Sequence, residues 1–506
     1  MNDRTSCVLA VDIGTTSTKT LAIDPEGRVL AGRSAEYPLH TPKPGYAEQD
    51  PEEIFAAVLR TVRGVVDDAE LKPEQVLCVS FSSAMHSLIA IDEDGRPLTP
   101  SITFADQRSA EQAERLNADG TGLDVYLRTG TPVHPMSPLV KLIWMREREP
   151  ELLAKTKKWL GIKEYVLYRL FGRCVVDYSI ASATGLFNLR ELNWDAGALK
   201  LAGIGADRLP EPVPTTYKLT GLKTDFAERM GLSPDTPFVT GASDGVLANL
   251  GIGAAAPGLF GVTIGTSSAV RAMVDAPSLD PKGRLFCYAL TENRWIVGGA
   301  SNNGGIVAQW AAERLYPGKP MEAVIPLTES VPPGANGLLM MPLLSGERAP
   351  FWDANARGMW FGLKLAHREQ HMLKAGLEGV LFQVRAIQSL LEERAGKPTR
   401  LLASGGFARS ASWCQMAADL LGTPVAVPEI IESSGLGAAQ LGYYALEDAK
   451  GPLLRWESAK AQVFEPNPER AAVYNELFPI YLGLYDKLKD SMKDLSGFER
   501  RQAIRG

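Results

Sequence analysis

A short phrase occurs twice in this chain of 506 residues. Val11-Asp-Ile-Gly-Thr-Thr-Ser-Thr18 returns as Val262-Thr-Ile-Gly-Thr-Ser-Ser-Ala269, about half a chain later, with five of the eight positions identical. Each copy reads as an apolar strand, a Gly-Thr turn and a second strand. A chain that places such a unit at the head of each half is constrained to build two similar halves. Turns of this kind suit a polyphosphate. Glycine clears the approach to backbone N–H groups, and the hydroxyls add donors. The copies differ where chemistry would need them to: Asp12 in the first is Thr263 in the second. The first turn can approach a metal ion, whereas the second can only donate hydrogen bonds.

This length exceeds what one hydrophobic core usually serves, so two domains are expected. Hydrophobic residues make up 45% of the chain and charged residues 22%, an ordinary globular balance. A net charge of −6 offers no basic surface for nucleic acid or an anionic membrane. The five cysteines (Cys7, Cys78, Cys174, Cys287 and Cys414) show no metal-ligand spacing. Cys7 and Cys78 fall in strand patterns and read as buried free thiols of a reducing compartment. The first residues carry no signal-peptide pattern, and no apolar run reaches membrane-spanning length. The expectation is a soluble, cytoplasmic protein.

Periodicity predicts strands at 7–13, 18–23 and 28–37, a helix at 51–68 and a strand at 76–81. Asp50-Pro51 gives that helix its cap and first-turn signals. The second half predicts strands at 259–264 and 269–274, and long helices at 303–316 and 367–394. A strand at 400–403, a helix at 410–421, a strand at 425–427 and a helix at 436–446 follow. Three strands, a helix and another strand form one half of an actin-like, ribonuclease H-like fold. The expected class is therefore α/β, with two such ATPase domains and a central cleft. Expected boundaries are 1–250, 251–450 and a helical extension at 451–506 packed on the body. Residues 251–258, small and bearing Gly and Pro, suit a hinge. Tyr474, Leu477, Tyr481, Leu484, Tyr485 and Leu488 mark one face of a C-terminal helix.

Candidate chemistry gathers at strand ends. Gly14 gives clearance, Thr15, Thr16 and Ser17 add hydroxyls, and Asp12 stands where magnesium could be reached. Gly265, Thr266 and Ser267 repeat the turn. Gly405-Gly406 joins a strand to a helix starting near Ser410, a turn that lets backbone approach a flat ligand or its phosphates. Asp244 lies where the strand ending at Phe238-Val239 gives way to a helix. Such a carboxylate can accept a proton from an attacking hydroxyl, or simply cap the helix. Met85-His86 follows the fourth strand. Asp106-Gln-Arg108 offers a carboxylate and a guanidinium, or a surface salt bridge. Lys141, a charge inside an apolar run, reads as a ligand-facing cation or as a lysine snorkelling to the surface.

Taken together, these residues resemble the FGGY carbohydrate kinases over nearly the whole chain. The two phosphate turns, Gly241-Ala-Ser-Asp244, Lys141-Leu-Ile-Trp144 and Ala403-Ser-Gly-Gly-Phe407 carry the likeness. Glu347-Arg-Ala-Pro-Phe-Trp352, Gly362-Leu363, His367 and Glu378-Gly379 extend it. A narrower likeness, to members acting on D-gluconate, rests on three stretches. They are Tyr46-Ala-Glu-Gln-Asp-Pro51, Ser82-Ser-Ala-Met-His-Ser-Leu88 and Arg128-Thr-Gly-Thr-Pro-Val-His-Pro-Met-Ser-Pro138.

The resemblance implies phosphorylation of a polyol, here D-gluconate, with ATP and Mg2+, and with small molecules rather than nucleic acid or membrane as partners. A homodimer is one assembly it allows. It implies that the N-terminal domain holds the substrate and the first phosphate turn, and the C-terminal domain the nucleotide. Asp12 would lie near magnesium, and Gly14, Thr15, Thr16, Ser17, Gly265 and Thr266 near phosphates. Gly305 and Gln309 would line the nucleotide site, with Gly405, Gly406 and Ser410 beside the adenosine. Asp244 matches the family's catalytic base, which favours the base over the cap. Met85-His86 matches a pair that contacts sugar in the xylulose kinases, with Asp106 and Arg108 nearby. Phe104 stands where relatives often carry Trp, so an indole N–H donor is lost. Ser87 stands where Gly often follows Met-His.

Three alternatives remain: a pentulose kinase such as xylulokinase, an actin-like nucleotide switch, and a non-catalytic sugar sensor. A switch would need a further module, for which only 60 residues follow the last core helix. The presence of both Asp12 and Asp244 argues against a sensor.

Overall fold

The computed structural model describes residues 6–429, 432–456 and 460–503. The chain divides into two compact units. One comprises residues 1–255, 274–296 and 431–457, and the other 256–273, 297–430 and 458–506. The division is therefore not a single cut near residue 250. The helix Ser433–Leu446, expected with the second half, belongs to the first unit, and the segment from 458 onward belongs to the second. The extreme N-terminal residues, read above for a leader pattern, lie outside the described residues.

The first unit is built on a six-stranded sheet. Its strands are β1 (Cys7–Ile13), β2 (Ser17–Ile23), β3 (Val29–Glu36), β4 (Val76–Ser83), β5 (Lys218–Leu219) and β6 (Phe238–Ser243). Their order across the sheet is β5-β6-β4-β1-β2-β3. β1 to β3 form an antiparallel meander, β4 and β6 run parallel to β1, and β5 closes the edge antiparallel. β1 is apolar on both faces because both are covered. The helix Pro51–Asp68 packs on β2 and β3, with Ile54, Phe55, Val58, Val62, Val65 and Val66 buried. Asp50 caps it, accepting from Glu52 N at 2.8 Å. The helix Ser433–Leu446 packs on β1 and β4 and against the helix Asp244–Gly251. The two helices cross at glycines: a Cβ on Gly251 would lie 1.8 Å from Ser433 O, and one on Gly437 2.0 Å from Leu247 O. Alanine fits at neither place.

The second unit repeats the plan. β7 (Leu259–Ile264), β8 (Ser268–Val274), β9 (Arg294–Ser301), β10 (Arg400–Ser404), β11 (Val425–Pro428) and β12 (Ala461–Phe464) lie in the order β9-β8-β7-β10-β11-β12. β7 is antiparallel to β8, parallel to β10, and followed by a parallel and then an antiparallel neighbour. The sequence repeat thus extends to the sheet topology, and each unit has the ribonuclease H-like arrangement. The helix Glu369–Ala395 is the unit's buried axis, packed against Gly305–Leu315 and Ala411–Leu421. The C-terminal helix Pro468–Ala503 is pinned to that axis. Tyr474 OH donates to Glu378 Oε1 at 2.8 Å, and Tyr481 OH to Gln383 Oε1 at 3.1 Å.

All five cysteines are free thiols, four of them buried. No helix among the described residues is long and apolar enough to cross a membrane.

Candidate active site

The β1–β2 connection is the first Gly-Thr turn. Gly14 N–H donates to Ser17 O at 3.0 Å and closes it. Two residues that sequence reasoning passed over hold it from outside. Tyr37 OH donates to Gly14 O at 2.7 Å and Tyr37 N to Thr16 O at 3.1 Å, while Gln49 Nε2 donates to Thr15 O at 2.6 Å. These bonds occupy carbonyl oxygens that would otherwise repel a phosphate. Asp12, one residue before the end of β1, accepts from Ser82 Oγ at 2.6 Å. Burial pushes its carboxyl above the ordinary value, and the Ser82 hydrogen bond offsets part of that. A cation beside it would relieve the burial cost.

The β7–β8 turn is one residue tighter. Ile13 pairs with Thr18 in the first hairpin, but Ile264 pairs with Ser268 in the second. Correspondingly, Gly265 N–H donates to Ser267 O at 2.9 Å. The start of the helix Gly305–Leu315 is docked on this turn, with Gly305 N donating to Gly265 O at 2.6 Å and Ile306 N to Thr266 O at 3.2 Å. A Cβ on Gly305 would lie 2.7 Å from Gly265 O, so the approach requires glycine. Gly405, at φ +89°, sits against the end of β7, where a Cβ would lie 2.5 Å from Ile264 O. Ser410 caps the next helix, accepting from Trp413 N at 3.3 Å. Around these elements lies a cavity of about 690 Å³, lined by Gly265, Thr266, Gly305, Gln309, Gly406 and Ser410 among others. Six residues expected at a nucleotide site thus share one cavity of nucleotide size, within a single unit.

Elsewhere in the first unit, each residue from Tyr46 to Asp50 has a task. Ala47 N donates to Asp106 Oδ2 at 2.8 Å, Glu48 pairs with Arg108, Gln49 holds the phosphate turn, and Asp50 caps the first helix. Tyr46 lies under the Arg108 guanidinium, whose carbon is 3.8 Å from the ring centroid. Asp106 is fully buried and takes Arg108 Nε at 2.8 Å and Nη2 at 2.8 Å. The pair is therefore an internal one, not a surface salt bridge. His86 has a left-handed backbone, φ +70°, and its Nδ1 lies 2.8 Å from Ala183 O. Met85 beside it is half-buried. Ser87 Oγ accepts from Ile162 N at 2.9 Å, a bond that glycine could not make.

Lys141 does not snorkel. It is fully buried in the helix Pro138–Arg148, with Nζ 2.6 Å from His86 O, 2.7 Å from Thr103 O and 2.9 Å from Met136 O. An ammonium spent on three carbonyls is not available to a substrate carboxylate.

Asp244 is the first residue of the helix Asp244–Gly251, and Ser243 takes the N-cap position. Gly245 N donates to Asp244 Oδ1 at 2.6 Å. Ser243 is fixed from the short helix Tyr178–Ser182: its N donates to Ser179 Oγ at 3.1 Å, and the two hydroxyls lie 3.0 Å apart. Asp177 caps that helix, accepting from Ser179 N and Ile180 N at 3.0 Å each, and pairs with buried Lys163 at 2.5 Å. Both His86 and Ser243 thus lean on one helical turn, His86 at its C-terminal carbonyl and Ser243 at its first turn. The signal was present in the sequence as Asp177-Tyr-Ser179, a strand end followed by a capping pattern.

Comparison with known proteins identifies the family. Residues 7–251 match the N-terminal domain of the FGGY family of carbohydrate kinases, and residues 261–446 match its C-terminal domain. The chain belongs to the FGGY family. Within it, the chain is 44% identical to the gluconokinase of Bacillus subtilis (strain 168), over 98% of this chain and 99% of that protein. The crystal structure of gluconate kinase from Lactobacillus acidophilus superposes with a TM-score of 0.93 at 35% identity, covering 96% of this chain and 99% of that one. The ligand-bound xylulose kinase from Lactobacillus acidophilus also reaches 0.93 at 35%, covering 97% and 99%.

Proposed function

We propose that this protein transfers the γ-phosphoryl group of ATP to the terminal primary hydroxyl of D-gluconate, giving 6-phosphogluconate and ADP. The observation that carries a kinase reading is the cavity built on the second Gly-Thr turn. The choice of gluconate rests on full-length similarity to gluconokinases. Asp244 accepts the hydroxyl proton as the oxygen attacks phosphorus, and the bond from phosphorus to the bridging oxygen of ADP breaks. Thr15, Thr16, Ser17 and Thr266 donate hydrogen bonds to phosphate oxygens. Gly305 and Gln309 line the nucleotide, and Gly405, Gly406 and Ser410 flank the adenosine. His86, with Met85, contacts the polyol, and Asp106 and Arg108 shape that wall. Little covalent work falls to the protein, because phosphoryl transfer depends on positioning and electrostatics.

Among the described residues, no group of three or more His, Cys, Asp or Glu side chains is placed to hold an ion alone. The half-buried carboxylate of Asp12 would hold a magnesium ion that accompanies the nucleotide. When bound, the ion neutralises phosphate charge. An ATP-consuming step of this kind belongs in the cytoplasm.

The test is a coupled ADP-release assay across D-gluconate, D-xylulose and glycerol. Gluconate should lead in kcat/KM by at least ~10²-fold. The similarity to a xylulose kinase structure makes D-xylulose the informative competitor, and a preference for it would replace gluconate with a pentulose.

A further inference from the structure

Lys141 is a fully buried cation that the proposed chemistry does not use. Its Nζ is within 2.9 Å of three carbonyl oxygens, with that of Ile102 farther off at 3.4 Å. Among the described residues, no carboxylate lies within ion-pair distance of it. Three N–H donors meeting three acceptors is the one arrangement that makes a buried, unpaired ammonium tolerable. The three carbonyls come from three separate segments. One is His86 itself, one is Thr103, just before Asp106 and Arg108, and one is Met136, in the stretch 128–138. A methionine could fill the space but would remove one donor from each of the three carbonyls, of which Thr103 O also accepts from Asp106 N at 3.3 Å.

We infer that Lys141 is a positioning residue that gathers the three acceptor-side loops through their backbones and so sets where the polyol lies. The inference rests on the reading that His86, Asp106 and Arg108 face the polyol.

Protonation matters to this device. Burial brings the Lys141 ammonium down to about 7, with Asp106 raising it and Arg108 lowering it. Those two are the charged groups acting on it. The His86 imidazole, on the residue whose carbonyl Lys141 holds, is turned to Ala183 O. A neutral amine has two N–H groups and a lone pair, so on deprotonation one carbonyl loses its donor. Stability runs the other way. With a folded pKa below the ordinary 10.5, the unfolded chain binds more protons between about 7 and 10.5. This group's contribution to stability therefore rises with pH across that window. Loss of polyol affinity above neutrality, with no matching loss of fold stability, separates positioning from a merely structural role.

The experiment compares the intact protein with K141M and K141Q, measuring kcat and KM for gluconate and for MgATP from pH 6 to 9, with thermal unfolding alongside. In the wild type, KM for gluconate should rise about tenfold above pH 7 while KM for MgATP stays level. Both variants should show a gluconate KM raised ~10- to 100-fold that no longer responds to pH, with KM for MgATP within about twofold of wild type. If K141M fails to fold, K141Q and the wild-type profile still decide. Equal rises in both KM values would overturn the inference, as would a wild-type gluconate KM that is level in pH. So would a K141Q penalty for gluconate that a neutral polyol escapes. In each of those cases wild-type turnover of gluconate leaves the functional reading standing. Absence of that turnover would overturn the functional reading itself, and this inference with it.

Discussion

Asp12 lies one residue before a strand end and Asp244 begins a helix, and the work proposed for each differs. Asp12 is half-buried and accepts from one hydroxyl, and desolvation makes its charge costly until a cation arrives. Its folded pKa is raised above the ordinary 3.8. Its favourable contribution to stability is therefore complete below that value and is lost as pH rises through the folded pKa. At neutral pH the charged form weakens the ligand-free fold. Asp12→Asn keeps an acceptor for Ser82 and removes the charge. It should raise the melting temperature without ligand while sharply lowering turnover, and scanning calorimetry with an activity assay checks both signs. Asp244→Asn should lower kcat by ~10²–10⁴ with KM for ATP unchanged, as expected when a general base is lost. Near-normal kcat in that variant would remove Asp244 from the chemistry. Gly305→Ala places a Cβ 2.7 Å from Gly265 O. It should raise KM for ATP and leave KM for gluconate unmoved, as steady-state kinetics would show.

At the scale of elements, the short helix Tyr178–Ser182 is the feature that most exceeds its size. Its N-terminal cap, Asp177, is buried against Lys163, and its first turn holds Ser243 beside Asp244. Asp177→Ala removes two N–H acceptors and strands a buried lysine. It should cost about 3–5 kcal/mol in denaturant unfolding, the usual size when one partner of a buried pair is deleted. Asp177→Asn, which keeps the cap, together with Lys163→Met should recover much of that. The strands and the helix Pro51–Asp68 were legible because their apolar spacing is long and uninterrupted. Lys141 was not legible: nothing in an apolar helical run shows that three distant carbonyls converge on one nitrogen. The tasks of Tyr37 and Gln49 were hidden for the same reason, since each acts on the backbone of a turn far away in sequence. Only the cap alternative for Asp244 lay one residue off, because Ser243 and Asp244 are both favoured caps and geometry gives the position to Ser243.

At the scale of the molecule, the repeat first seen in eight residues is a repeat of sheet topology, with one hairpin tightened by a residue. The cavity proposed for the nucleotide lies wholly within the second unit. ATP alone, without gluconate, should therefore stabilise the protein against heat. At a hundred times its dissociation constant the gain is about 2.7 kcal/mol, which differential scanning fluorimetry would detect and Gly305→Ala would reduce. The sequence repeat foretold two halves but not their membership. The chain returns to the first unit at 274–296 and again at 431–457, and no composition shift marks either return.

The lysine that binds three loops does so through peptide oxygens alone, and every residue type carries one of those. Apart from side chains that tie these loops themselves, such as Ser87 and Asp106, those along 82–88, 103–108 and 128–138 can therefore be exchanged without loosening the frame that presents them. Such a frame lets a lineage trade one acceptor for another by ordinary point substitutions while the scaffold underneath stays put.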